Sequence, residues 1–243
     1  MGQSQLTGSI AVAAQGIFTE SSSQLHGIGE LVHSNDGRAF RYTKVGATAL
    51  VPGQLYQSPA EDTTNFQDLT VTAPTAAATS IVTTSTVTLT VNQLAGAFLT
   101  ISSASTNMGQ TLRIKSHAAV TTAVVTFNLE DPVLYTPTGT TKIDIHPNPY
   151  SGAIVAPTTA SSAAVGWSLY KVTAAYFGWL CTHGPTSMLA QGAVVVGDDL
   201  VPAESTNAGS VVSRADTSLS NTVGRALTGI ASTEYGIGFA CID

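Results

Sequence analysis

No segment of this chain repeats its apolar residues at the 3.6-residue period of an amphipathic helix; short runs alternate at period two instead. "AVVTFNL" sets Val125, Phe127 and Leu129 against Val124, Thr126 and Asn128, and "TSTVTLTV" sets Val87, Leu89 and Val91 against Thr86, Thr88 and Thr90. "TLRIKS" alternates Leu112 and Ile114 with Arg113 and Lys115, and "KIDI" alternates Ile143 and Ile145 with Lys142 and Asp144. Successive strand side chains point to opposite faces, so each run can bury one face and wet the other. Turn chemistry separates the runs, at Asn35-Asp36-Gly37, Asn107-Met108-Gly109, Pro137-Thr138-Gly139 and Pro147-Asn148-Pro149. Gly admits positive φ and Pro fixes φ, so each ends a strand for a steric reason. Many short strands with regular turn signals predict an all-β chain, a short-stranded barrel or sandwich.

The pattern divides the chain. Residues 1–36 are rich in Ser, Gly and Gln and read as an extended N-terminal arm. Residues 37–60 and 165–243 read as a β-barrel-like body, the latter richer in Gly and aromatics. Residues 61–164 read as a Thr-rich β domain or insertion. Two internal echoes link parts of the body. "GATALVPGQL" (46–55) resembles "GAVVVGDDL" (192–200). "VGWSL" (165–169), with Tyr176 downstream, resembles "VGRAL" (223–227), with Tyr235 downstream. They predict repeated strand–tight turn–strand units of a small barrel.

Hydrophobic residues make up 43% of the chain and charged residues only 10%, against about 25% charged in an average soluble protein. A large subunit contact explains such a deficit, because interface cores shed charge; a Ser/Thr-coated surface is the other explanation. The net charge is −6, with nine Lys plus Arg. That excludes the cationic footprint of a nucleic-acid binder and the polybasic patch of a membrane-surface protein. No apolar run reaches the roughly 18 residues of a membrane span. The opening "MGQSQLTGSIAVAAQGIF" lacks the basic start of a signal peptide, and Leu6 breaks the myristoylation pattern.

The stretch "FGWLCTHGPTSMLAQGAVVVGDDLV" gathers Cys181, His183, Asp198 and Asp199. Residues two apart on a strand share a face, but their side chains stand parallel rather than converging, so Cys181 and His183 do not make a nucleophilic pair. His26, His33, His117, His146 and His183 show no metal-ligand spacing. Gly197-Asp198 reads as a turn, and Cys181 and Cys241 as two buried thiols in a reducing compartment. The expected catalytic, cofactor-binding and metal residues are therefore none. The aromatics Trp167, Tyr170, Tyr176, Phe177 and Trp179 fit a core and interface anchor, with a glycan-stacking platform as the alternative. Thr86, Thr88 and Thr90 are a single threonine face, explained by a solvated strand.

Three stretches carry a family resemblance: "RAFRYTKVGATALVPGQLYQ" (38–57), "YFGWLCTHG" (176–184), and the tail "GAVVVGDDLVPAESTNAGSVVSR…VGRALTGIASTEYGIGFACID". Together they resemble the capsid decoration, or cement, proteins of tailed phages. The resemblance covers the C-terminal third and residues 38–57, not the Thr-rich middle. It implies a β-rich, non-enzymatic virion protein on the outside of an icosahedral head, made in the host cytoplasm. It also implies a homotrimer whose partner is the major capsid protein, with no nucleic acid or membrane involved. A tail or receptor-binding protein, or another structural subunit such as a tail-tube or shell protein, is the alternative.

Overall fold

The computed structural model describes residues 6–7, 15–204, 206–215 and 221–243. The fold is all-β. Its strands are β1 (Leu6–Thr7), β2 (Leu31–Ser34), β3 (Ala39–Val45), β4 (Leu55–Gln57), β5 (Leu69–Val71), β6 (Ser80–Thr84), β7 (Phe98–Ser103), β8 (Thr111–Ser116) and β9 (Val124–Leu129). They continue as β10 (Thr141–His146), β11 (Ser151–Val155), β12 (Ala164–Ser168), β13 (Phe177–Leu189), β14 (Asp199–Pro202), β15 (Val211–Ser213), β16 (Gly224–Ala226) and β17 (Tyr235–Cys241). The chain forms two compact units, Met1–Ala60 with Pro149–Asp243, and Glu61–Asn148.

In the second unit β5 to β10 close into a six-stranded barrel of order β10-β5-β6-β9-β8-β7. The alternating residues of three predicted strands fill it: Leu112, Ile114, Val125, Phe127, Leu129, Ile143 and Ile145 are all core. The fourth prediction fails. Thr86–Val91 is not a strand; the strand ends at Thr84. The Ser85 hydroxyl accepts from the Val87 amide at 3.3 Å and donates to the Val87 carbonyl at 2.7 Å, folding the chain over on itself. A Ser that satisfies nearby backbone in this way competes with a ladder. The threonine face predicted there does not form.

The first unit contains one fold twice. In the first copy β3, β11, β4, β12 and the start of β13 pair in a closed ring: β11 lies parallel to β3, β4 bridges β11 and β12, and β13 pairs with both β12 and β3. In the second copy the end of β13 takes the place of β3, and β14, β15, β16 and β17 take those of β4, β11, β12 and the start of β13. A parallel bridge from Ala190 to Val211 closes this ring where β11 meets β3 in the first. The thirteen residues of β13 are thus the last strand of one barrel and the first of the next.

The correspondence holds bond by bond. Leu50 bridges Val172 as Val194 bridges Ile230. The Gly53 amide donates to the Ser168 carbonyl at 2.8 Å as Gly197 does to Ala226 at 2.9 Å. Both glycines end the same tight turn at positive φ, +73° and +90°, where only Gly is unstrained. Ala175 and Thr233 occupy equivalent left-handed positions. The repeated Val-Gly pair has a packing cause: a Cβ on Gly166 would lie 2.8 Å from the Cys181 carbonyl oxygen, and one on Gly224 2.7 Å from that of Phe239. The two echoes read from the sequence fall on these repeats, at Gly53 and Gly197 and at Val165-Gly166 and Val223-Gly224, but their tyrosines do not match: Tyr235 stands at the position of Phe177.

Residues 58–150 connect the second and third strands of the first barrel, and residues 203–210 the same strands of the second. The six-stranded unit therefore sits within that longer connection. Residues 149–164, expected in the Thr-rich segment, belong to the first unit, because β11 is needed to close its ring. The expected arm is attached from Gln15 onward. Gln15, Ile17, His26 and Val32 are buried, and β2 is a strand on β3; residues 1–5 and 8–14 lie outside the described residues.

Candidate functional site

The residues that suggested chemistry have structural tasks. Cys181 is fully buried, its thiol turned to the His183 carbonyl oxygen at 3.5 Å, and burial pushes its pKa up to about 11. The His183 ring packs edge-on against Phe239 at 5.0 Å, with Nδ1 3.3 Å from the Asp243 carbonyl oxygen. Asp198 caps its own turn, accepting from the Val195 amide at 2.9 Å and the Ser213 hydroxyl at 2.5 Å; these bonds hold its carboxyl below the usual range. Asp199 accepts from Arg225 at 2.9 Å on the neighbouring strand. Among the described residues no cluster of His, Cys, Asp and Glu has the arrangement of a metal site. Cys241 departs from the sequence expectation: it is exposed, because it ends the outer face of β17.

Of the aromatics of 167–179, Trp167, Phe177 and Trp179 are buried and Tyr170 and Tyr176 partly so. Trp167 points into the cluster of the second barrel with Leu55, Met188 and Leu200, which makes it the joint between the two barrels. Trp179 is fully buried as well, in a separate cluster with Phe40, Tyr42 and Phe177. A glycan platform needs ring faces at the surface, and neither indole offers one.

What Trp179 does identify is a surface. The outer face of the first barrel presents Phe177, Trp179 and Cys181 from β13 beside Phe40 and Tyr42 from β3. The preceding chain, the leader 15–32, covers it. Ile17, Ile28 and Val32 pack there, and the His26 ring meets Tyr42 and Trp179 at 5.1 Å each. Gln15 pins the cover: its Nε2 donates to the Phe177 carbonyl at 3.0 Å, and its Oε1 accepts from the Tyr42 hydroxyl at 2.8 Å.

Among the described residues the second barrel leaves most of the same face uncovered, with the Gly53 turn beside the Tyr235 ring. By register, Tyr235, Ile237 and Phe239 stand where Phe177, Trp179 and Cys181 stand, with Pro185 and Ser187 of β13 alongside. Tyr235 is 51% and Ile237 50% exposed, and Leu227 beside them 45%. Trp179, the counterpart of Ile237, is 0% exposed. An open recess of about 350 Å³ lies at one edge, lined by Thr222, Gly224, Leu227, Phe239 and the Asp199–Arg225 pair. The repeat itself leaves this face bare. The chain entering the second barrel is β13, already committed as a strand of the first, so no leader remains to fold across.

Comparison with family models, with curated proteins and with solved structures finds no match for this chain. The assignment of function therefore rests on the residues and their arrangement.

Proposed function

We propose that this chain is a non-enzymatic structural subunit of a virion, a capsid decoration protein seated on the outside of a phage head. Its partner is the major capsid protein, and its work is to hold neighbouring shell subunits together. One observation carries the reading: the surface set apart by the fold is a broad apolar sheet face, Tyr235–Ile237–Phe239, and not a cleft with converging reactive groups. Such a face binds by area and shape. Each contact can be modest, because display of many copies on one shell raises the effective concentration of every further contact. The stretches that resemble decoration proteins, 38–57 and the C-terminal third, fall on the repeated barrels. The sparse charge suits a protein that spends its life in contact with others.

The test is reconstitution. Purified protein is added to heads of the encoding phage that lack it, and binding is followed by co-sedimentation and imaging. The expected result is saturable occupancy at symmetry-related sites on the outer surface, with heads that disrupt at a higher temperature. Heads that take up no protein at micromolar concentration, on the order of 8 kcal/mol of affinity, would remove the reading.

A further inference from the structure

We propose that His117 is an acid-released clasp: as a neutral ring it pins residues 90–95 over one end of the six-stranded barrel, and proton uptake lets that segment open. This goes beyond the capsid reading and does not depend on it.

The backbone fixes the state of the ring. His117 is buried just past the end of β8. Its Nε2 lies 2.9 Å from the Leu94 amide, which can only donate, so Nε2 carries no hydrogen. Its Nδ1 lies 2.9 Å from the Ala118 carbonyl oxygen, which can only accept, so Nδ1 carries the hydrogen. Both nitrogens are committed in the neutral ring. A second proton can enter only at Nε2, where it would face the Leu94 N–H.

The same residue holds the segment. Three hydrogen bonds cross from residues 90–95 to the end of β8, and all three end on His117. The Asn92 amide donates to the His117 carbonyl at 3.1 Å, the His117 amide donates to Asn92 Oδ1 at 3.0 Å, and the Leu94 amide donates to the ring. Fixed points stand on either side: Leu89 bridges Val120, and the Gly96 amide donates to the Ile114 carbonyl at 2.7 Å. Between them Leu94 is buried in the barrel core. Residues 90–95 are therefore a short flap with two anchored ends and one clasp.

The surroundings offer no partner to an imidazolium. The ring meets Phe127 of β9 edge-on at 5.5 Å. Neither 85–97 nor 118–129 contains a charged residue. On β8 the charged side chains are Arg113 and Lys115, cations like the protonated ring, and Arg113 pairs with Glu130 at 3.2 Å. Asp62 approaches the loop at Thr86 by way of Asn65, which donates to both of its oxygens. A buried charge without a partner is costly, so proton uptake goes with opening of the flap, where water can solvate the ring. Such local opening leaves the rest of the barrel folded.

The experiment is amide exchange of the full chain, corrected for the intrinsic pH dependence of exchange. A solvated imidazole takes its proton at about 6.5, so a flap that is protonated only when open should open about eightfold more at about pH 5 than at about pH 6, read at the Leu94 amide. His117→Gln, which keeps an acceptor and cannot take the proton, should lose that dependence. His146→Gln, altering the other histidine of this unit, should keep it. A long-range proton–nitrogen spectrum of the wild type at neutral pH should show the hydrogen on Nδ1. Equal opening at the two pH values overturns the proposal, as does a ring that charges while the Leu94 amide stays protected, or a His117→Gln chain that keeps the dependence. The wild-type measurements decide by themselves should His117→Gln not fold. Heads enter none of these readouts, so the capsid reading and this inference can fail separately.

Discussion

The repeat makes a quantitative prediction, because it places two side chains at one register position in different surroundings. Trp179 of the first barrel and Ile237 of the second are equivalent, yet Trp179 is fully buried beneath the leader and Ile237 is half exposed. Trp179→Ala empties a site walled by Tyr42 at 4.9 Å and His26 at 5.1 Å between ring centres. Removing a core aromatic in this way costs about 3–5 kcal/mol. Its indole nitrogen has no hydrogen-bond partner, so no polar term adds to that figure. Ile237→Ala removes three carbons that folding only half withdraws from water, at about 0.8 kcal/mol per fully buried methylene, which gives about 1 kcal/mol.

The assay is urea unfolding followed by tryptophan fluorescence. Both tryptophans lie in the first unit, so unfolding of the six-stranded barrel is silent in this signal. Trp167 remains as the reporter in Trp179→Ala. Ile17→Ala, in the leader, is expected to cost about 2–4 kcal/mol. Combined with Trp179→Ala it should cost less than the sum, since the two share one cluster. Equal costs for Trp179→Ala and Ile237→Ala, or strict additivity of Ile17→Ala with Trp179→Ala, would refute the claim that the leader seals the first barrel's face. Deleting residues 1–30 should not leave an intact body, because it strips cover from Tyr42, Phe177 and Trp179.

Thiol titration of the native protein at about pH 8 should count one fast cysteine, Cys241, with Cys181 appearing only on unfolding; two fast thiols would contradict the burial. Gly197→Ala should cost about 1 kcal/mol, since its positive φ is its sole obstacle and nothing lies within 4 Å of the new Cβ. Gly53→Ala should cost more, because that Cβ would also meet the Tyr235 ring at 2.7 Å; equal melting temperatures would refute the difference. Acid should weaken the first unit through depressed carboxyls. Asp36 is lowered chiefly by its hydrogen bond from Arg38. Burial raises Asp243, but its bonds from Arg41 outweigh that and leave it lowered. A lowered carboxyl stabilises above its unfolded value and loses that contribution as pH falls through the folded one, so melting temperature should hold to about pH 5 and decline below about pH 4. Asp243→Asn should flatten that acid limb, and an unchanged slope would show that the Arg41 pair contributes nothing.

Much of this fold is legible in the sequence because its signals are local. Alternation places Val125, Phe127 and Leu129 inside, since a one-residue slip would turn all three to water. Alternation alone misleads at Thr86–Val91, where Ser85 spends its hydroxyl on the backbone two residues ahead. Composition could not assign β11, whose Ser-Gly-Ala-Ile-Val resembles its Thr-rich surroundings and is fixed only by pairing with β3 and β4 far away in sequence. The leader hid its role for the same reason. Its polar composition reads as a free arm, while its few apolar residues are the ones that count.

Neither the bare face nor its cause was visible in any one segment. The echo of "VGWSL" in "VGRAL" reported a repeated unit, but not that the repeats share a strand. Sharing β13 saves a connection and fixes the two barrels to each other through Trp167. It also leaves the second barrel without a preceding segment of the kind that residues 15–32 supply to the first. In a protein that ends its folding alone, substitution would be expected to replace the stripe with polar residues, as most solvated sheet faces are. By register Ser187 stands where Tyr42 does, Arg225 where Trp167 does and Asp199 where Leu55 does, while Tyr235, Ile237 and Phe239 keep their apolar bulk. The exposed stripe is thus a consequence of how the two repeats are joined: the strand that enters the second barrel is already spent in the first.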